Sequence, residues 1–251
     1  MILGAAIGAA ALTRSESILL LVLLMPFAVR RAGTRPLRDA LAVAAATLIV
    51  IAPWCLRNTL AFDRPLGVTT GDGAALAGSN TPATFFGPRI GTWDFGGLAL
   101  DLPARERTDE AEDGERLRKK GLRYARRHSG RLPVVIGARV GRTWNVYPFD
   151  PGATVRYNAL IRGQREWLEW ATLLSAWLVI LLAVAGAVVL RRRGAWLAPL
   201  AASVALATIV SVLFYGGPRF REAADVALVI LAAAALLELR SRLSACGQAR
   251  A

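Results

Sequence analysis

Residues 168–190 are uncharged apart from Glu169, carry only Thr172 and Ser175 as further polar residues, and run into Arg191-Arg192-Arg193. A hydrocarbon layer about 30 Å thick is crossed by roughly 20 helical residues, so this run alone reaches spanning length. It is not solitary. Residues 196–213 form a second block, which stops at Gly216-Gly217-Pro218, and 223–239 form a third, which runs into Arg240 and Arg242. Nearer the start, residues 17–29 and 40–51 reach spanning length once their flanking Ser, Pro, Ala and Trp residues are included. Apolar residues gathered in blocks, rather than interleaved with polar ones, are the pattern of membrane helices. Composition agrees: 55% of the 251 residues are hydrophobic, and mean hydropathy is +0.42.

Residues 1–12 break the pattern. At 1.5 Å per residue they cover about 18 Å, too little to span. A basic leader and a cleavage motif are both missing, so a secretory signal is a poor reading. The segment reads as the back end of a truncated helix, and the chain as the C-terminal portion of a larger membrane protein.

The net charge is +13, carried almost entirely by arginine; Lys119 and Lys120 are the only lysines. No nucleic-acid-binding motif accompanies that charge, so no nucleic acid partner is expected. The arginines lie beside the apolar blocks, where they set topology. Arg30, Arg31, Arg35 and Arg38 mark one cytoplasmic loop, Arg191–Arg193 a second, and Arg240, Arg242 and Arg250 a cytoplasmic tail. Cys55 and Cys246 then fall on opposite faces and cannot pair.

The expected fold is an all-α multi-pass membrane protein with about six transmembrane helices, the first truncated, and a small mixed extracytoplasmic domain. Residues 1–56 hold helices one to three, 57–166 the extracytoplasmic domain, 167–242 helices four to six, and 243–251 the cytoplasmic tail. The location that follows is the cytoplasmic membrane, with the large loop outside. Within that loop, residues 69–82 carry turn chemistry, with Gly71, Gly73 and Gly78 permitting tight or left-handed backbone. Residues 108–128 read as a helix, acidic at its start and basic later, matching the helix dipole. Pro133 opens a second helix whose Val134, Val135, Ala138, Val140 and Trp144 form an apolar face.

Several features look chemical and read more simply. The glycines of "TTGDG" lack the Walker lysine and the GxGxxG spacing, which leaves a plain turn. The carboxylates Asp109, Glu110, Glu112, Asp113 and Glu115 read as a solvated helix start; a divalent metal is the lesser reading, and no cofactor or metal site is expected. His128, the one histidine, excludes a multi-histidine metal site and reads as a helix-end surface residue. Trp93, Trp144, Trp167 and Trp170 are of a type that stacks on sugars, but Trp167 and Trp170 flank an apolar block and read as interface anchors.

Arg14, Arg57, Arg219 and Arg221 are different, because all four fall at the outer ends of expected helices. Brought together by bundling, they form a cationic pocket at headgroup depth. Arginine's planar fork grips phosphate oxygens with paired hydrogen bonds. Snorkelling to lipid headgroups is the alternative for each. If the stretch after Pro218 is extended, Arg219 and Arg221 share a side opposite Phe220. If it is helical, they diverge by about 160° and Arg219 is the better candidate.

The order of "GAAIGAAALTRSESILLLVLL", "APWCLRNTLAFDRPLGVTTGDGAALAGSN", "RVGRTW" and "YGGPRFRE" before a last helix resembles the C-terminal half of a GT-C membrane glycosyltransferase. The branch it resembles is the bacterial, actinobacterial-type, mannosyltransferase-like group dependent on polyprenyl-phosphate sugars. The resemblance implies transfer of a sugar from a lipid-phosphate donor to an acceptor outside the membrane. It implies lipid-phosphate contacts for Arg14, Arg57, Arg219 and Arg221, with Asn58, Asn80 and Trp144 in supporting positions. The acidic residue that serves as base in such enzymes belongs to a loop that would precede Met1, and Glu16 is the nearest alternative in this chain. Thr81 follows Asn80 where relatives carry a cysteine, so no loop disulfide is expected. The partners implied are the polyprenyl-phosphate sugar donor and membrane lipids. The alternative is a non-catalytic membrane subunit, or a truncated remnant, that binds lipid or a partner protein. A transporter ranks below both, because the expected spans hold no ionisable residue near their centres.

Overall fold

The computed structural model describes residues 1–31, 35–96 and 109–248, and every regular element among them is helical. The helices are α1 (Ile2–Thr13), α2 (Leu19–Arg31), α3 (Pro36–Phe62), α4 (Asp72–Ser79), α5 (Pro82–Phe85), α6 (Glu110–Arg127), α7 (Leu132–Thr143), α8 (Pro151–Arg162), α9 (Glu166–Arg192), α10 (Ala198–Leu213) and α11 (Pro218–Gln248). Proline opens many of them: Pro36, Pro82, Pro151 and Pro218 each stand at the first helical position. There the ring fixes a helical φ, and the missing N–H is one that the helix leaves unpaired anyway. Arg250 and residues 97–108 lie outside the described residues, as do the side chains of Arg31 and Cys246.

Six helices make a bundle. Gly4 approaches Val43 and Ala46, and Gly8 approaches Thr47 and Val50, so α1 and α3 run parallel. A Cβ on Gly4 would lie 2.2 Å from the Val43 carbonyl oxygen. Small residues let the two backbones meet this closely. Thr47, fully buried, donates its hydroxyl to the Gly4 carbonyl at 2.9 Å. On the other side α9 and α11 also run parallel. Ser175 shares a groove with Asp225 at one end, and Arg193 pairs with Glu238 at the other. A Cβ on Gly186 would lie 1.7 Å from the Leu231 carbonyl oxygen, so that contact too admits only glycine. Between the pairs run α2 and α10, antiparallel to each other. Leu19, Leu20 and Leu23 pack around Leu206 and Val210, while Phe27 meets Trp196 edge-on at 6.5 Å.

Two of the six helices are long and apolar enough to cross a membrane, α3 and α9, each of 27 residues. Only 22% and 17% of their most apolar windows is buried. Leu48, Ile49 and Leu60 on α3, like Leu178, Leu181 and Val184 on α9, face outward. The other four expected spans are not of that kind among the described residues. The apolar helices α1 and α10 have 12 and 16 residues, and α2 has 13. Helix α11 is long, yet it carries Asp225 near one end and Glu238 near the other.

Helices α4 to α8 form a cap over the end of the bundle where α3 stops and α9 begins. The cap was expected to be mixed, but no strand occurs among its described residues. Its core is Phe85, Ile90, Val135 and Ala138, flanked by Tyr124, Leu132 and Tyr147. The expected turn region 69–82 is largely helical, as α4 and the start of α5. Gly73 and Gly78 serve close packing there rather than left-handed backbone: a Cβ on Gly73 would strike the Gly114 carbonyl oxygen of α6 at 1.8 Å. Asp109 caps α6, accepting from the Glu112 amide at 2.6 Å, and Asp150 caps α8, accepting from the Gly152 amide at 2.9 Å. These carboxylates supply acceptors for otherwise unpaired first-turn amides.

Helix α7 joins cap to bundle. Thr143 shares a 2.7 Å hydrogen bond with Ser211 of α10 and accepts from the Gly217 amide at 3.1 Å. Its buried face differs from the expected one. Val135 and Ala138 are inside, but Val134 is half exposed, and Arg139 and Arg142 take buried positions.

Candidate functional site

Two cavities open where the bundle meets the cap. The first, of about 660 Å³, is bounded by the last residues of α1, the Arg14–Glu16 turn, Leu19, Trp54, the start of α4 and the end of α10. Its walls are apolar through Leu12, Leu19, Val210, Leu213 and Phe214, and its polar groups are Arg14, Glu16, Asp72 and Arg219. The second, of about 450 Å³, is more polar and aromatic. It is lined by Arg89, Trp93, Asp94, Phe95, Arg142, Tyr147, Tyr157 and others. Tyr215 and Arg219 line both cavities. An aromatic series crosses from one to the other: Phe95 to Trp93 at 5.5 Å, Trp93 to Tyr215 at 6.2 Å, and Tyr215 to Phe220 at 4.7 Å.

The four arginines singled out in the sequence divide. Arg14 and Arg219 come together. The Arg14 guanidinium donates to the Arg219 carbonyl at 3.3 Å, pairs with Glu16 at 2.6 Å, and lies 5.8 Å from the centre of the Phe220 ring. Arg219 is exposed, and its guanidinium has no hydrogen bond or ion pair among the described residues. Arg221 faces elsewhere. The chain is helical from Pro218, so the two side chains diverge. Arg221 is buried, donates through Nε to Asp225 at 3.0 Å, and borders a separate groove between α9 and α11. Arg57 is also apart. It stacks over Trp54 at 5.2 Å and donates to Asn58 at 3.2 Å, so it stands behind the Trp54 wall of the first cavity.

The three supporting residues hold the frame. Asn58 is buried at the end of α3 and donates to the Gly67 carbonyl at 3.1 Å, tying the loop after α3 to the bundle. Asn80 accepts from Arg139 at 3.1 Å and donates to the Leu76 carbonyl at 2.7 Å. Trp144 donates to Thr208 of α10 at 3.3 Å and lines neither cavity.

Arg139 and Arg142 carry no residue-specific signal beyond spacing, yet they organise the site. Arg139 is 2% exposed. It donates to the carbonyls of Val212 at 3.2 Å and Ser79 at 2.8 Å, with no carboxylate beside it among the described residues. Burial pulls its pKa down to about 10, which still leaves it charged at neutral pH. Arg142 donates to the Ile90 and Pro88 carbonyls, each at 2.7 Å, and lies between the Tyr147 and Tyr157 rings. Burial lowers its pKa also, with Tyr157 and Tyr147 opposing. The turn preceding α11 is fixed against this pair. A Cβ on Gly216 would lie 2.1 Å from the Arg139 carbonyl oxygen, and the Gly216 amide donates to the Gly91 carbonyl at 2.8 Å.

Three carboxylates line the cavities. Glu16, the nearest alternative base, is spent on Arg14. Asp94 pairs with Arg89 at 3.2 Å. Asp72 has no ion pair among the described residues. Trp93, one of the tryptophans weighed for sugar stacking, lines the second cavity, whereas Asp94, Phe95, Tyr147 and Tyr157 were not singled out in the sequence, since their convergence is tertiary. No cluster of three metal-ligating side chains occurs among the described residues. No protein-family model, curated protein or solved structure matches the chain.

Proposed function

We propose that the chain is the membrane-embedded part of a glycosyltransferase that takes its sugar from a polyprenyl-phosphate donor. One observation carries the reading: Arg219, without a partner among the described residues, stands beside Arg14 at the junction of an apolar-walled cavity and an aromatic, polar one. In this reading the isoprenoid lies against Leu19, Val210 and Leu213. Its phosphate meets the two guanidiniums, and the sugar lies toward Tyr215 and the second cavity. As the glycosidic bond to phosphate breaks, charge grows on the leaving phosphate. Fixed guanidiniums stabilise that charge in the manner of an oxyanion hole. The acceptor hydroxyl needs a carboxylate to take its proton; of the carboxylates lining the two cavities, Asp72 is the one without an ion pair among the described residues.

The outward-facing apolar surfaces of α3 and α9 support membrane insertion, since a soluble core helix would hide them. The arginine-rich turn Arg191–Arg193 lies at the bundle end away from the cap, so the positive-inside bias puts the cap outside the cytoplasm. An impermeant thiol reagent applied to intact cells should then label a cysteine at position 110 and not one at 192. The donor reading is tested by titrating the chain, reconstituted in nanodiscs, with polyprenyl monophosphate. The expectation is saturable binding that Arg219→Ala weakens about tenfold, or about 1.4 kcal/mol. Equal binding by both proteins removes the donor site.

The second reading is a non-catalytic subunit that binds the same lipid. It is favoured by the ion pairs that occupy Glu16 and Asp94. Donor binding without any transfer of label to an acceptor in membranes would select it.

A further inference from the structure

Arg221 poses a problem that the donor cavity does not solve. Its side chain is 8% exposed, its Nε is used by Asp225, and its Nη1 is buried with no hydrogen-bond partner. A buried guanidinium N–H without an acceptor is costly, and such groups in native proteins call for an explanation. The guanidinium borders a groove of about 240 Å³ between α9 and α11, whose other walls are Thr172, Ser175, Ala176, Val179, Asp225, Leu228 and Val229.

The groove has a direction. Thr172 and Ser175 lie in the early turns of α9, and Arg221 and Asp225 in the first two turns of α11. One turn further along the two parallel helices, the walls become Val179, Leu228 and Val229. One end is therefore hydroxyl, guanidinium and carboxylate, and the other is wholly aliphatic. Thr172 and Ser175 donate to carbonyls of their own helix, at 2.9 and 3.0 Å, so their hydroxyl hydrogens are spent within α9. The donors of the groove thus come from Arg221, and Asp225 takes only its Nε, which leaves Nη1 without an acceptor. The first turn of α11 adds the positive end of its dipole. In sum, the groove offers cationic donors at one end and an apolar channel at the other, on the outward side of the bundle.

We propose that this groove holds one glycerophospholipid, with its phosphodiester against Arg221 and an acyl chain along Val179, Leu228 and Val229. The site is separate from the donor cavity, because Arg219 and Arg221 leave α11 on different sides. It rests on the membrane reading above, since it places the early turns of α9 and α11 at headgroup depth. A phosphodiester gives the guanidinium an acceptor for its unpaired N–H, and the acyl chain covers aliphatic surface that the protein leaves open. A lipid bound there would also fasten α9 to α11 at the end where their backbones are not yet in glycine contact, since Gly186 lies much further along.

Native mass spectrometry of the full chain, released from detergent after incubation with phosphatidylglycerol, tests the site. Wild type should retain one phosphatidylglycerol. Arg221→Met, similar in length but without donors, should lower its occupancy about tenfold. Ser175→Trp, at an exposed position, should block the groove and lower occupancy to a similar degree while Arg221 stays in place. Circular dichroism of both variants shows whether they remain folded. Millimolar inorganic phosphate should not displace the lipid; displacement would mean a free-phosphate site and overturn the proposal. Full retention by Ser175→Trp overturns it equally, whatever Arg221→Met does. The donor reading is measured separately with polyprenyl monophosphate. Arg219→Ala should lose that ligand and keep phosphatidylglycerol, and Arg221→Met should do the reverse. A chain that is extracted from membranes by alkaline carbonate refutes the membrane reading itself, and the lipid site falls with it.

Discussion

The cap and the mouth of the bundle both use arginine, to different ends. In the cap, Arg139 and Arg142 are buried and donate mainly to backbone carbonyls, with Nε of Arg139 left unpartnered. At the mouth, Arg14 is part-exposed and Arg219 exposed, the latter without a partner among the described residues. Carbonyls neutralise no charge, so a buried arginine held only by them keeps its full cationic character and loses only its freedom to move. It acts as a multi-pronged clamp, since one planar fork ties Ser79 and Asn80 at the end of α4 to Val212 of α10. Arg219 keeps its donors for something else, while Arg14 gives its own to Glu16 and the Arg219 carbonyl. The lesson is that an arginine's burial and the identity of its acceptors, not its place in the sequence, separate clamp from site.

The sharpest way to break this comparison is to remove a clamp. Arg139→Met leaves the acceptors on Asn80 and Val212 without their donor, at a cost on the order of 3 kcal/mol. Thermal unfolding in detergent should show it as a large fall in Tm. An unchanged Tm would mean that the carbonyls are not held by the guanidinium, and the clamp idea fails. Gly216→Ala attacks the same joint from the other side, because the new Cβ would meet the Arg139 carbonyl oxygen. Neither backbone can retreat easily, so about 2 kcal/mol is expected, within the range for overpacking. A neutral Gly216→Ala would show that the turn before α11 is free to shift and does not fix Arg219.

Arg219 should behave in the opposite way. Arg219→Ala should leave unfolding within about 0.5 kcal/mol, as surface changes do, while polyprenyl phosphate binding falls about tenfold. Arg219→Lys keeps the charge without the planar fork, and the expected loss is about threefold. A lysine variant that binds as well as wild type would reduce Arg219 to a simple positive charge.

Much of the bundle was legible because apolar blocks announce themselves. The segments around α3, α9 and α10 follow directly from them, and the acidic-to-basic gradient of α6 marks that helix. The cap was less legible for physical reasons. In α7 the apolar residues suggested one buried face, but the guanidiniums of Arg139 and Arg142 found carbonyls to satisfy them, and the face rotated to bury them. The carbonyls belong to segments distant in sequence, so no local pattern reveals the pairing. Glycine misled in the same way. Gly73 and Gly78 read as turn residues, whereas their missing side chains admit Gly114 and Trp93. Of the site, the divergence of Arg219 and Arg221 depended only on whether Pro218 opens a helix. The signal for that, proline at a first helical position after Gly216-Gly217, was in the sequence.

The finest test of the comparison concerns Glu16, which stands between the two classes. It pairs with Arg14 at 2.6 Å, with side chains 20% and 32% exposed. If Arg14 belongs with Arg219 as a phosphate donor, Glu16 competes with the ligand for its fork. Glu16→Gln then removes the competing charge but keeps a side chain of the same length, able to accept one hydrogen bond from Arg14. The remaining carboxylate nearby, Glu222, is 3.7 Å away and mostly exposed, so it holds Arg14 weakly. Polyprenyl phosphate affinity should rise about threefold, or roughly 0.6 kcal/mol, with Tm nearly constant. If instead Glu16 clamps Arg14 as the carbonyls clamp Arg139, the same change loosens the Arg14–Glu16 turn, and affinity and Tm fall together. The sign of the affinity change thus decides which class Arg14 joins. A fall would leave Arg219 as the sole phosphate-facing arginine of the first cavity.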